Sequence, residues 1–472
     1  MRGHQRSANV VVGLVVGMGT GRRRAGMRRG LRWQEQGRAR RNVREADLFV
    51  RLYDGNTPLT VPSAALSGNL YGVTRGSHRI VFEPTNTVYM GQTLLRFRAE
   101  ITAAESPLYM IVDLEKAAGA EGQKTFVTRS DLEAGLYGAC VTNPVAGVNS
   151  LVWTDVTNDV YKTTKLVFRK IDAGSFKTGG CGHCFSGQNW LFPSVNPATN
   201  TVVLTQPFYI GVFELTQAQA VNMNGTNPSR SKTDNKLPIE YLCYDELRGT
   251  ASAGNNTGNW PLSGYGDIAS NSQLQKYRTA TGIDTIDLPT DAQWEYACRA
   301  GTTTLLCDGI VHDWDTVAPN AGSTAINAAA TDFNANAVLY GVFGASGTAI
   351  VGGRRPNAWG LYDMLGNVAE LCLDWSVFDC GYRYATFMGE TKDVSEQMFR
   401  IDGTDSAGPT TGTHRVTHGG SYGGTGQKST SAMRTHVSSS AKNNTIGFRL
   451  VCYPDSVTPA IGTITPPPSA AE

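Results

Sequence analysis

Short apolar runs constrain this chain more than any other feature: 53 glycines among 472 residues, with frequent Asn, Thr and Pro, interrupt its hydrophobic stretches within a few residues. Runs of that kind read as strands joined by polar turns, with few helices. A hydrophobic content of 40% and a charged content of 17% describe a globular protein. The length allows two or three domains, each with its own core.

The net charge of +2 conceals an asymmetry. Residues 1–44 hold twelve arginines, no lysine and one acid, Glu35, which leaves thirty basic and thirty-nine acidic residues, a net −9, in the remainder. A basic head on an acidic body is compatible with a nucleic-acid or acidic-surface tether. With Trp33 as its lone aromatic residue, the head reads better as an extension that stays unfolded, and no nucleic-acid partner is expected. VVVGLVVGMG after MRGHQR has the outline of a signal peptide but lacks a small-residue cleavage site, and it is too short to span a bilayer. No other segment is long and apolar enough to be transmembrane. Export or a cell-surface position is favoured over the cytoplasm. The nine cysteines are too sparse for a disulfide scaffold.

Four segments follow: a basic head at 1–45, a β-rich accessory domain at 46–158, a larger unit at 159–453, and a Pro/Ser/Thr-rich tail at 454–472. In the second segment LFVRLYD, HRIVFEP, TLLRFRAEIT, LYMIVDLE and SLVWTDV read as strands. In the third, LPTDAQWEYACRAG predicts a helix capped by Thr290 and Gln293 and stopped by Gly301, and ELTQAQAVNMNG one capped by Thr216 and Gln219 and ending at Gly225. Both are expected to be scaffold.

The larger unit carries six phrases in fixed order: KIDAGSFKTGG, FYIGVFELTQAQ, LPTDAQWEYACRAGTTT, PNAWGLYDMLGNVAELCLDW, RVTHGGSY and NNTIGFRLVC. Together, over about 165–453, they resemble the formylglycine-generating enzyme (sulfatase-modifying factor) family. The resemblance implies an irregular α+β, C-type-lectin-like domain and says nothing of residues 1–158, where the alternating runs read as a small all-β domain. In active members, two cysteines just after GGS[WY] bind copper(I) as thiolates, and with oxygen the site converts a sulfatase cysteine to formylglycine. Such a soft ion needs sulfur donors. This chain has Gly424 at the first position, Ser429 near the second, and no cysteine between Cys380 and Cys452. Copper is therefore not expected. None of the seven histidines has the spacing of an iron-binding triad.

The expectation is a non-catalytic ligand- or protein-binding module; the alternative is an active formylglycine-generating-type oxidase or related oxidoreductase acting on protein cysteine. A loop of small and polar residues suits recognition of a protein or small molecule over 423–445, with Tyr422, Thr425, Gln427, Lys428, Arg434 and His436 as candidate contacts. The segment also resembles variable regions diversified by retroelements, which run from GS[WY] to IGFRL. A solvated loop that has simply lost its cysteines is the plain alternative.

The resemblance further implies a structural calcium held by the Asp363 side chain, the Gly366 and Val368 carbonyls and the Glu370 carboxylate, a hard-oxygen set that suits the ion. Loop hydrogen bonds without metal would explain the same residues. A second site at Asn320 and the Ala321 carbonyl aligns weakly. AEL replaces the family's WEW, so Ala369 and Leu371 must change the packing beneath, while Trp375 remains as core. CGHC at 181–184 reads as a Gly-rich loop or local disulfide rather than a redox centre. Cys372 and Cys452 are expected on neighbouring strands, where they would pair in an exported protein or stay as buried thiols in a reducing compartment.

Overall fold

The computed structural model describes residues 101–145, 148–178, 201–249, 268–316, 323–376, 403–406, 412 and 414–454. Before residue 101 it describes the strands at 9–16, 31–32, 46–54, 57–58, 66–68, 77–82 and 97–100. Two compact units divide at Pro107/Leu108.

In the first unit, strand Ala46–Asp54 pairs antiparallel along its full length with Phe97–Glu105. The valine-rich run expected in an unfolded head forms strand Asn9–Val16, parallel to Ser77–Phe82. Its β-branched residues suit a pleated surface.

The second unit begins fifty residues before the boundary expected near 158, because two of the anticipated strands belong to it. Pro107–Asp113 pairs with Lys165–Ile171, which on its other side pairs with Phe208–Gly211, and Val451–Cys452 and Lys124–Thr128 complete the sheet. A four-stranded sheet follows the order Arg434–Ser438, His414–His418, Ala369–Ser376, Ile446–Gly447. Cys372 and Cys452 thus lie in different sheets, which corrects their expected placement on neighbouring strands, and both are buried free thiols, the second of the two expected states.

Both anticipated helices form. Gln217–Asn224 and Asp291–Arg299 carry reciprocal caps from Thr216/Gln219 and Thr290/Gln293. Gly225 closes the first in the left-handed region at φ 77°, whereas the second turns left-handed one residue before Gly301, at Ala300. Among the described residues no helix is long and apolar enough to cross a membrane.

Trp294, Phe168, Phe448 and Tyr277 are fully or almost fully buried in the main core. A satellite core forms around Trp153, whose ring meets Tyr109, Tyr137 and Tyr161 edge-on at 5.5, 5.9 and 4.9 Å. Residues 108–158 therefore share a hydrophobic core with the larger unit.

Candidate functional site

Strand His414–His418 ends in Gly419 and Gly420, both at positive φ. A side chain on Gly419 would press on the Met364 carbonyl at 2.9 Å, so this turn excludes larger residues. Tyr422 follows as an anchor: its N–H donates to Asn367 O, its carbonyl accepts from Ala345 N–H, and its hydroxyl accepts from Asn444 Nδ2 at 3.1 Å. The turn Gly426–Lys428 rests on helix Ser323–Ala337, where Asn334 Nδ2 donates to Gln427 Oε1 at 2.5 Å and Asn334 Oδ1 accepts from Gln427 N–H at 2.9 Å. A Cβ on Gly426 would collide with that of Ala337.

The chain then turns inward. Ser429, Thr430 and Ser431 are buried, and Ser431 N–H donates to Leu305 O. The expected recognition face is corrected here: Arg434 is buried, not displayed. Its Nε lies 2.8 and 2.9 Å from the two Asp291 oxygens, its Nη2 2.5 Å from Glu295 Oε2, and its Nη1 donates to Ala432 O. Tyr422 is likewise an anchor. Thr425 is exposed, Gln427 is tied to Asn334, and His436 is half-buried with its ring edge-on to His414 at 5.2 Å. The Lys428 side chain, CGHC at 181–184, Asn320 and Ala321 lie outside the described residues.

Asp291 and Glu295 stand one turn apart on their helix, so both carboxylates reach the same guanidinium. His418 Nε2 is 2.8 Å from Asp291 Oδ1, and the imidazole stacks on Trp294 at 4.4 Å. Arg299 Nε donates to Glu295 Oε1 at 2.7 Å. Burial raises the pKa of Asp291, but the Arg434 and His418 charges prevail and hold it well below the carboxylate range. Asp374 accepts from Asp291 N–H, and burial with the nearby Asp291 charge pushes its own carboxyl up to about 7. Sequence reading missed this network, although acids four apart on an otherwise apolar helix face were its available signal.

No cysteine occurs between Cys380 and Cys452. The inward turn does reach the neighbourhood of Cys298 and Cys307, through the bond from Ser431 to Leu305. Both thiols are buried, and burial pushes Cys298 up to about 12 and Cys307 well above its ordinary value. They are poor thiolates.

The anticipated calcium residues lie on a tight loop with Asp363, Gly366 and Asn367 all at positive φ. Gly352 N–H donates to Asp363 Oδ2 at 2.6 Å, while Asp363 Oδ1 is buried without a partner. Glu370 is committed elsewhere: Arg449 Nε and Nη2 each lie 2.6 Å from its oxygens, and Trp294 Nε1 donates at 2.8 Å. Glu214, which accepts from Val368 N–H and Asn367 Nδ2, completes a buried set of three acids around one arginine. Burial first, then Asp363 and Glu370, push Glu214 far upward; burial lifts Asp363 to about 6. Among the described residues no three His, Cys, Asp or Glu side chains converge as a metal cage. The orphaned oxygen of Asp363 fits a hard cation, whereas the Glu370 carboxylate is already occupied by Arg449 and Trp294.

A family model described as "Sulfatase-modifying factor enzyme 1-like domain" matches residues 156–453. A formylglycine-generating enzyme of Thermomonospora curvata is 36% identical over 135 residues, covering 29% of this chain and 38% of that protein. "Chaperone protein LppX" of Paenibacillus barcinonensis is 28% identical over 224 residues, covering 43% and 70%. Among solved structures, Treponema denticola variable protein 1 superimposes with a TM-score of 0.38 at 23% identity, covering 61% of this chain and 96% of that one. The chain spans about a third of the length of the formylglycine-generating enzymes it matches. The six ordered phrases fall within the matched residues, and the family model covers more than half of the sequence: the chain belongs to the sulfatase-modifying factor family.

Proposed function

We propose that this family domain is a non-catalytic binding module. One observation carries the reading: glycine and serine stand at 424 and 429, where active relatives need thiolates, and no cysteine occurs from 381 to 451. Cys298 and Cys307, near which the inward turn passes through Ser431, are buried thiols whose pKa values burial raises. A protonated thiol is neither the nucleophile nor the ligand that the oxidation requires.

What remains is a surface. Tyr422 and Gln427 fix the turn while Gly423 and Thr425 stay exposed, and Thr435 with 442–444 is exposed nearby in the chain. A rigid frame presenting small and polar groups suits recognition of a protein or small molecule. Buried Arg434 takes no part in that contact. Diversification by a retroelement would place substitutions at the exposed positions of 423–445 and spare Tyr422, Gly426 and Arg434. In the same proposal, calcium adds an anchor at Asp363 with the Gly366 and Val368 carbonyls, stiffening the loop without reacting.

Copper(I) retention tests the reading. Purified protein titrated with copper(I) against a colorimetric chelator should retain no stoichiometric copper; tight retention of one equivalent would contradict it.

A further inference from the structure

Near the end of helix Ser323–Ala337 lies an open groove of about 490 Å³, lined among others by Leu339, Gly353, Arg354, Arg355, Thr157 and Tyr362. That volume is in the range of ligand sites. Gly352 and Gly353 are consecutive in its lining, and a Cβ on Gly352 would strike buried Phe213 behind the groove, so this stretch of wall is held close against the core. It is also preformed. Arg355 N–H donates to Leu339 O at 2.8 Å, Val351 N–H to Lys236 O at 3.2 Å, and Gly352 N–H to Asp363.

Arg354 and Arg355 are exposed, and among the described residues neither is ion-paired with a carboxylate. Of the acids near the groove wall, Asp155 Oδ2 accepts from Ala139 N–H at 2.9 Å, Asp159 pairs with Lys236 at 2.8 Å, and Asp363, buried behind Gly352, accepts from its N–H at 2.6 Å with one oxygen left unpartnered. Two guanidiniums without a carboxylate partner among the described residues, Arg354 and the Tyr340-bonded Arg355, therefore share one groove on a body whose acids outnumber its bases. Beside them Leu339 is 38% exposed, and Val338 and Ile350 are each 37% exposed. A ligand matched to this lining carries carboxylates for the planar guanidiniums and an apolar side chain for Leu339.

We propose that this groove binds an acidic, partly apolar peptide segment of a partner protein. None of its lining residues belongs to 423–445, so the inference stands whether or not the turn at Gly426–Lys428 contacts a ligand. Fluorescence anisotropy with a labelled peptide of alternating glutamate and leucine is the test, run beside a lysine–leucine control. Saturable binding is expected for the acidic peptide alone, weakened roughly tenfold in R354Q/R355Q and by raising salt from about 0.05 to about 0.5 M. The charge-conserving R354K/R355K should retain part of the affinity, and T425A should retain all of it. Absence of saturable binding at low salt, equal affinity in R354Q/R355Q, equal binding of the lysine–leucine peptide, or complete displacement by millimolar inorganic phosphate would each overturn the proposal.

Discussion

Replacing Arg434 with alanine separates a recognition residue from a core residue. The side chain is 2% exposed and holds Asp291, at 4%, and Glu295, at 0%. Truncation leaves two buried carboxylates short of their shared cation, a class of change that costs about 3–5 kcal/mol. Here each acid keeps another partner, His418 for Asp291 and Arg299 for Glu295, so the lower end, about 3 kcal/mol, is expected. In urea, with an m-value of about 3 kcal/mol/M, the midpoint should fall by about 1 M. Tryptophan fluorescence reports on this directly, because Trp294 stacks on His418. Arg434→Lys should recover only part of the loss, since an ammonium cannot reproduce the guanidinium fork that spans both carboxylates. D291N/R434M should lose less than the sum of its single changes. An exposed loop residue would cost no more than about 0.5 kcal/mol. A midpoint shift that small for Arg434→Ala would refute the buried-network reasoning.

Asp374 gives a pH signature. Its folded carboxyl lies at about 7, above an unfolded value of about 3.9, so its contribution is full below pH ~4 and is lost as pH rises through about 7. Asp374→Asn should flatten that decline in chemical-denaturation curves, and an unchanged slope would count against it. Asp291 has the opposite sign: its depressed carboxyl contributes above the unfolded carboxylate range and is lost only in strong acid. Gly426→Val should cost about 1–3 kcal/mol by driving the turn off Ala337 and should raise hydrogen exchange across 424–428, whereas Thr425→Ala should stay within about 0.5 kcal/mol. Calcium added to metal-free protein should raise the melting temperature of wild type and leave Asp363→Ala unmoved; a wild-type melt unchanged by added calcium would contradict the proposed ion.

Local rules made much of the fold legible. Thr216/Gln219 and Thr290/Gln293 announced their helices because a reciprocal cap is a nearest-neighbour signal. The strands at 107–113 and 148–153 were readable from their apolar pattern, but not their assignment to the second unit. That assignment depends on long-range pairing of Tyr109 with Arg169 and on the rings around Trp153, which no local pattern encodes. Helix Ser323–Ala337 went unread because its packing face is mostly alanine. Ala329, Phe333 and Ala337 line up four apart, yet short side chains give a weak amphipathic signature despite high intrinsic propensity. Within the site, the missing sulfur at 424 and 429 was visible at once, as a statement of residue type. The fate of Arg434 was not. A polar segment reads as solvated, and only the fold brings Asp291 and Glu295 beneath it.

In the proposed binding module, recognition replaces oxidation. The most direct measurement is aldehyde formation in a peptide bearing a CxPxR motif, incubated aerobically with the purified chain and copper(I). No conversion above the enzyme-free control is predicted. Catalytic accumulation of formylglycine, abolished by Cys298→Ser or Cys307→Ser, would contradict it by showing that the buried thiols supply the sulfur that the 381–451 segment lacks.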